Sequence, residues 1–109
     1  MDLQTVKYEK SEGIATITLN RPEKRNPLSP LVLKELSACM DDADADKSIG
    51  ALIITGGEKV FCAGMDIAEM QAFKPEDTFP FWNFGYNLTF EKIYNFRVPT
   101  IAAVSGYAL

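Results

Sequence analysis

Apolar and polar residues alternate in two short runs near the start of the chain, Val6-Lys7-Tyr8-Glu9 and Ile14-Ala15-Thr16-Ile17-Thr18-Leu19, with Glu12-Gly13 between them. A period of two puts successive side chains on opposite faces of a strand. The pattern predicts a β-hairpin whose second strand is the more buried. It breaks at Asn20-Arg21-Pro22-Glu23-Lys24-Arg25-Asn26-Pro27-Leu28, a polar stretch with two prolines and two asparagines, which predicts a loop with neither helix nor central strand. Beyond Ser29 the period changes. Val32, Leu36, Cys39, Met40 and Ala43 form one stripe of an amphipathic helix. Ser29 suits the N-cap and Pro30 the first helical position. The acidic run Asp41 to Asp46 follows. Carboxylates are unfavourable at a helix C-terminus, so the run predicts fraying into a loop.

Gly50 precedes an apolar strand, Ala51 to Thr55, and Gly56-Gly57 marks a turn after it. The run Val60-Phe61-Cys62-Ala63-Gly64-Met65-Asp66-Ile67 then turns into a helix start. Asp66 and Glu69 have capping-box spacing, which predicts a short helix from Ile67 to about Phe73. Lys74-Pro75-Glu76-Asp77 breaks it. Thr78 to about Arg97 reads as a longer helix with Trp82, Tyr86, Phe90 and Tyr94 spaced by four. Eight aromatics fall between Phe79 and Phe96, and at that spacing most of them are core. Arg97-Val98-Pro99 ends the helix. Thr100 to Val104 is a short apolar strand, and Ser105 to Leu109 is its exit. The order β-β, α, β, α, α, β predicts an α/β fold with crossover connections.

The 109 residues make one domain at most. The net charge of -4 argues against a nucleic-acid partner. Against that balance Arg21, Lys24 and Arg25 lie within five positions, a cluster suited to a local anion or to a solvated loop. The absence of histidine excludes, within this chain, a Ser-His-Asp triad and His-ligated metal, and no metal site is predicted. Cys39 and Cys62 are too far apart to form a metal-binding pair motif. They read as two buried, reduced thiols, which predicts a reducing compartment. No signal peptide or membrane-spanning stretch is visible.

A strand that turns sharply into a helix start gathers unpaired backbone N–H groups at one point, and such a point can hold a negatively charged oxygen. Three blocks place that turn in a context. Gly13 to Leu28, Phe61 to Ile67 and Pro99 to Leu109 together resemble the enoyl-CoA hydratase/isomerase (crotonase) superfamily, in family-like order and spacing over essentially the whole chain. The resemblance implies an α/β fold, the N-terminal half of a crotonase-like (ClpP/crotonase) spiral of β-β-α units. Residues 1–109 would be the N-terminal part of a single acyl-CoA-binding domain, truncated before a glycine-rich turn.

The resemblance also implies roles. The backbone N–H of Met65 would be one of two oxyanion donors to the thioester carbonyl of the substrate. Met stands where the family often has Ala, which leaves the donor intact and reshapes the space beside the acyl group. Lys24, Arg25 and Pro27 would contact the CoA nucleotide, with Arg21 a weaker candidate. Ala63, Gly64, Asp66 and Ile67 would line the adenine and pantetheine path, although helix capping alone also explains Asp66. Aromatics of the long helix would border the acyl pocket, and those facing it would suit a flat or cyclic acyl group.

The implied activity is enoyl-CoA hydration, with enoyl-CoA isomerisation or hydration of an aromatic or cyclic acyl-CoA as alternatives. A non-catalytic acyl-CoA-binding or structural fragment is the alternative of another class. CoA enters as part of the substrate, with no tightly bound cofactor. The implied setting is cytoplasmic, with neither nucleic acid nor membrane as partner, in a homotrimer or dimer of trimers. The second donor and the acid-base carboxylates would lie beyond Leu109, so these 109 residues alone are expected to be inactive, with a sheet edge and half a core exposed.

Overall fold

The computed structural model describes residues 1–78, 80–83 and 86–109. Phe79 and Phe84, two of the eight aromatics counted above, lie outside the described residues. The hairpin forms as expected, β1 (Val6–Ser11) antiparallel to β2 (Ile14–Leu19). A crossover through α1 (Pro30–Ala45) leads to β4 (Ala51–Thr55), parallel to β2, and β6 (Thr100–Ala103) lies parallel to β4. The four-stranded sheet has the order β1-β2-β4-β6. Two short strands, β3 (Pro27–Leu28) and β5 (Gly64–Met65), pair with each other outside it.

The alternation read from the sequence decides which face is buried. Ala15 and Ile17 of β2 stand level with Leu52 and Ile54 of β4, and all four are buried. The α1 stripe, Val32, Leu36, Cys39, Met40 and Ala43, covers that face and is buried throughout. The Ser29 hydroxyl accepts from the Val32 N–H at 3.2 Å and caps the helix. Burial pushes the Cys39 thiol up to about 11, so it remains protonated and acts as a small apolar filler.

The acidic run does not fray. α1 continues through Ala45, and cations from three distant elements hold its carboxylates. Lys10 of β1 pairs with Asp42 and Asp46, Lys92 with Asp41, and Arg97 with Asp44. Arg97 also donates to the carbonyls of Ala43, Asp46 and Ile49 at 3.1–3.4 Å, which satisfies the open end of the helix. These charges offset the unfavourable dipole, and none of them is adjacent in sequence to the run.

The polar stretch also differs from expectation. Pro22–Lys24 forms a 3-10 turn, since proline at its start needs no N–H partner there. The second helix, α2, is shorter than expected and spans Ile67–Gln71. The long helix begins earlier, at Pro75, because the Asp77 carboxylate accepts the Lys74 N–H and caps it. It runs as α3 (Pro75–Pro80), a π-helical turn (Phe81–Tyr86) and α4 (Asn87–Tyr94). The sheet edge at β6 is open, and Ile101 and Val104 are about half exposed, at 51% and 52%.

The turn after β4 is clamped from two sides. A Cβ on Gly56 would lie 2.2 Å from the Val60 carbonyl oxygen, and one on Gly106 would lie 2.2 Å from that of Lys59. Only glycine permits both approaches. The segment after β6 then lies along the turn. Phe61 and Cys62 donate to the Tyr107 carbonyl, and Leu109 donates to the Cys62 carbonyl.

Candidate functional site

The β3–β5 pair fixes one backbone group that is free of the ladder. Leu28 stands level with Met65, and its carbonyl accepts the Asp66 N–H at 2.9 Å. In a parallel pair, the residue directly opposite sends its own N–H to the far side, while its neighbours make the bonds. The Met65 N–H therefore faces away from β3. Its position is braced by the two residues before it. The Ala63 N–H donates to the Arg25 carbonyl at 2.9 Å, and the Gly64 N–H donates to the Cys62 sulfur at 3.4 Å. Burial raises the Cys62 thiol above its ordinary value, so that sulfur is neutral.

Two cavities meet at Met65. One, of about 400 Å3, is lined by three cations, Arg21, Lys24 and Arg25, two carboxylates, Asp66 and Glu69, and by Pro27, Ala63, Ile67 and Ala68 as well as Met65. The cations are contributed by the loop before β3. The other, also about 400 Å3, is lined by Leu28, Phe61, Cys62, Gly64, Tyr86, Phe90 and Leu109. No Asp or Glu side chain lines this second cavity among the described residues. A chain molecule with a charged head and an apolar tail could lie across the turn, with Met65 at its midpoint.

The residues singled out in the sequence separate cleanly. Lys24, Arg25, Pro27, Ala63, Asp66 and Ile67 converge on the basic cavity, and Gly64 faces the apolar one. Asp66 is the N-cap of α2: one carboxylate oxygen accepts the Glu69 N–H at 3.2 Å. The other pairs with Arg21 at 3.3 Å. That pair occupies Arg21, while Lys24 and Arg25 form no ion pair among the described residues. Among the described residues no cluster of His, Cys, Asp and Glu could hold a metal ion, and no helix is long and apolar enough to cross a membrane.

Two parts of the site were not legible beforehand. Asn26 is 2% exposed, at φ 52°, and its side chain bonds to two loops at once. Its only signal was the tolerance of asparagine for left-handed backbone. Tyr86 and Phe90 also emerge as wall residues, with ring centroids 4.5 Å apart. Trp82 lies 4.8 Å from Tyr86, so the rings form a column along the helix. Helical spacing had marked these rings as core or border without separating the two.

Comparison with known proteins gives a consistent picture. The family model described as enoyl-CoA hydratase/isomerase matches residues 9–109. A probable enoyl-CoA hydratase of Mycobacterium tuberculosis is 42% identical over 109 residues, covering 100% of this chain and 41% of that protein. The short-chain-enoyl-CoA hydratase of Clostridium acetobutylicum is 38% identical over 110 residues, covering 100% of this chain and 42% of its own length. The crystal structure of an enoyl-CoA hydratase/isomerase from Xanthobacter autotrophicus Py2 superposes with a TM-score of 0.88 at 36% identity. It covers 96% of this chain and 40% of that one. The chain thus spans about two fifths of the length of these relatives.

Proposed function

The chain belongs to the enoyl-CoA hydratase/isomerase family, and on that premise we propose that it carries the thioester-binding part of an enoyl-CoA hydratase. The reaction is addition of water across the double bond of a 2-enoyl-CoA. Its α/β fold, built of β-β-α units, matches the N-terminal part of the crotonase-fold structures. The observation that carries the proposal is the position of Met65 at the junction of a basic and an apolar cavity, with its N–H outside the strand ladder.

In this reading the nucleotide of CoA lies in the basic cavity. Lys24 and Arg25 meet its phosphates through charge-assisted bonds, and Pro27, Ala63 and Ile67 line the way inward. Gly64 flanks the pantetheine on the apolar side. Asp66 acts by holding α2 and Arg21 in place. The thioester oxygen accepts the Met65 N–H. As water adds, negative charge grows on that oxygen, and a donor already fixed in place stabilises it without reorganising. We propose that the second donor and the carboxylates that move protons are supplied by residues beyond Leu109. The assembled enzyme is proposed to be a cytoplasmic homotrimer or dimer of trimers.

The test is incubation of the full-length protein with crotonyl-CoA while the ultraviolet absorbance of the conjugated thioester is followed. Loss of that absorbance, with a hydroxyacyl-CoA product by mass, is the expected result. Binding of CoA thioesters without turnover would instead establish the non-catalytic alternative. The Tyr86 and Phe90 rings, which line the apolar cavity together with Met65, favour one second reading, a preference for aromatic or cyclic acyl groups. Cinnamoyl-CoA assayed alongside crotonyl-CoA decides between them.

A further inference from the structure

The basic loop meets the turn bearing Met65 through the β3–β5 ladder, the Ala63 to Arg25 bond and the Arg21–Asp66 pair, and it meets the preceding residues 56–61 through the side chain of Asn26. The Asn26 amide nitrogen donates to the carbonyls of Gly56, Val60 and Phe61 at 3.1, 3.2 and 3.3 Å. Its oxygen accepts the Arg21 N–H at 2.7 Å. On one side of Asn26 lie Lys24 and Arg25, in the lining of the basic cavity. On the other lies the turn whose next residues are Cys62 to Met65. Arg25 and Asn26 are both left-handed, at φ 64° and 52°. Two such residues in succession are costly without support, and here the support is the Asn26 side chain itself. Both of its polar atoms are satisfied although the residue is almost fully buried, so it is held in one orientation.

We propose that Asn26 is a positioning residue that couples CoA-phosphate binding at Lys24 and Arg25 to the placement of the Met65 N–H. The inference rests on the functional reading above. Contacts made by a remote, unreacting part of a substrate can raise turnover only if they are transmitted to the reacting centre. A shift of about 1 Å at that centre can cost roughly 100-fold. The ladder between β3 and β5 fixes distance along the strands. The Ala63 to Arg25 bond and the Arg21–Asp66 pair tie the two segments locally, and Asn26 fixes how the basic loop sits against residues 56–61, so that a change at the phosphates moves the whole turn rather than one end of it.

The experiment compares crotonyl-CoA with crotonyl-pantetheine, which lacks the nucleotide and its phosphates, in the full-length protein. Asn26→Gly keeps the left-handed backbone and removes the amide. Asn26→Asp keeps the size and the acceptor and removes the donors. Both are expected to lower kcat for crotonyl-CoA by about tenfold or more and to leave crotonyl-pantetheine within about threefold. The advantage of the nucleotide in kcat thereby collapses. A merely structural residue would lower both substrates in parallel, and that result overturns the inference. Should neither variant fold, Lys24→Ala decides: the inference requires kcat to fall along with a rise in KM, and a rise in KM alone overturns it. Failure of the unaltered protein to hydrate crotonyl-CoA overturns the functional reading and this inference together. Hydration with an unchanged ratio in the variants overturns this inference alone.

Discussion

Replacing Met65 by proline tests the role of a backbone atom directly. Proline has no N–H, so Met65→Pro deletes the proposed oxyanion donor. Ordinarily a proline in a paired strand also removes a ladder bond. Here the ladder uses the Asp66 N–H, donated to Leu28, and the Met65 N–H faces away from it. The preceding residue is Gly64, which has no Cβ to clash with the proline ring. The stability cost should therefore be small beside the catalytic one. Removing one oxyanion donor costs about 100- to 1,000-fold in kcat, or roughly 3–4 kcal/mol. Met65→Ala keeps the N–H and serves as the control, expected within about fivefold of the unaltered enzyme. The assay is kcat for crotonyl-CoA in the full-length protein, with thermal melting to show that each variant folds. A folded Met65→Pro enzyme with nearly full kcat would refute the assignment. So would a Met65→Ala enzyme that loses as much as the proline variant.

Other predictions follow from the same geometry. Tyr86→Leu and Phe90→Leu remove rings from the wall beside Met65 and are expected to lower kcat/KM for cinnamoyl-CoA relative to crotonyl-CoA by several-fold, since such ring contacts contribute about 0.5–1.5 kcal/mol; an unchanged ratio counts against the aromatic preference. Arg97→Ala strips the end of α1 of its donors and is expected to destabilise the fold by about 1–3 kcal/mol in urea unfolding. Burial alone would raise the Glu35 carboxyl, but bonds from the N–H groups of Thr5 and Gln4 outweigh it and hold the group below its ordinary value of 4.5. Its contribution to stability is thus complete above pH 4.5 and is lost as pH falls through the lower folded value. Glu35→Gln is expected to be less stable at neutral pH and to show a shallower acid limb, and an unchanged limb argues that other carboxylates set it.

What could be read beforehand was what is local. Ser29-Pro30 starts a helix wherever an apolar stripe follows, and the strands carry their own alternation. The continuation of α1 through its acidic end was illegible because its partners, Lys10, Lys92 and Arg97, arrive from far along the chain. The early start at Pro75 depended on Asp77 capping Lys74, which competes with the breaker signal of the prolines. Within the site, charge marked Lys24 and Arg25, capping-box spacing marked Asp66, and only the family resemblance marked Met65. Asn26 carried no charge or motif to distinguish it from Asn20, six positions earlier in the same loop. Its role comes from being buried between two loops, and burial of that kind is a property of the assembled fold.

The clamp on the turn at residues 56–61 bears on the order of events during synthesis. The hairpin, α1 and β4 can associate as soon as they leave the ribosome, because β2 and β4 share a register and α1 covers their buried face. The turn cannot settle then. Gly106 must first close on Lys59, and the Tyr107 carbonyl must first take the Phe61 and Cys62 N–H groups. Those partners lie far away along the chain, so their closure carries the loop entropy of the whole helical excursion between them. The scaffold of β1, β2, β4 and α1 is thus complete in sequence before the groups that close the turn, and the placement of the Met65 N–H depends on the later ones.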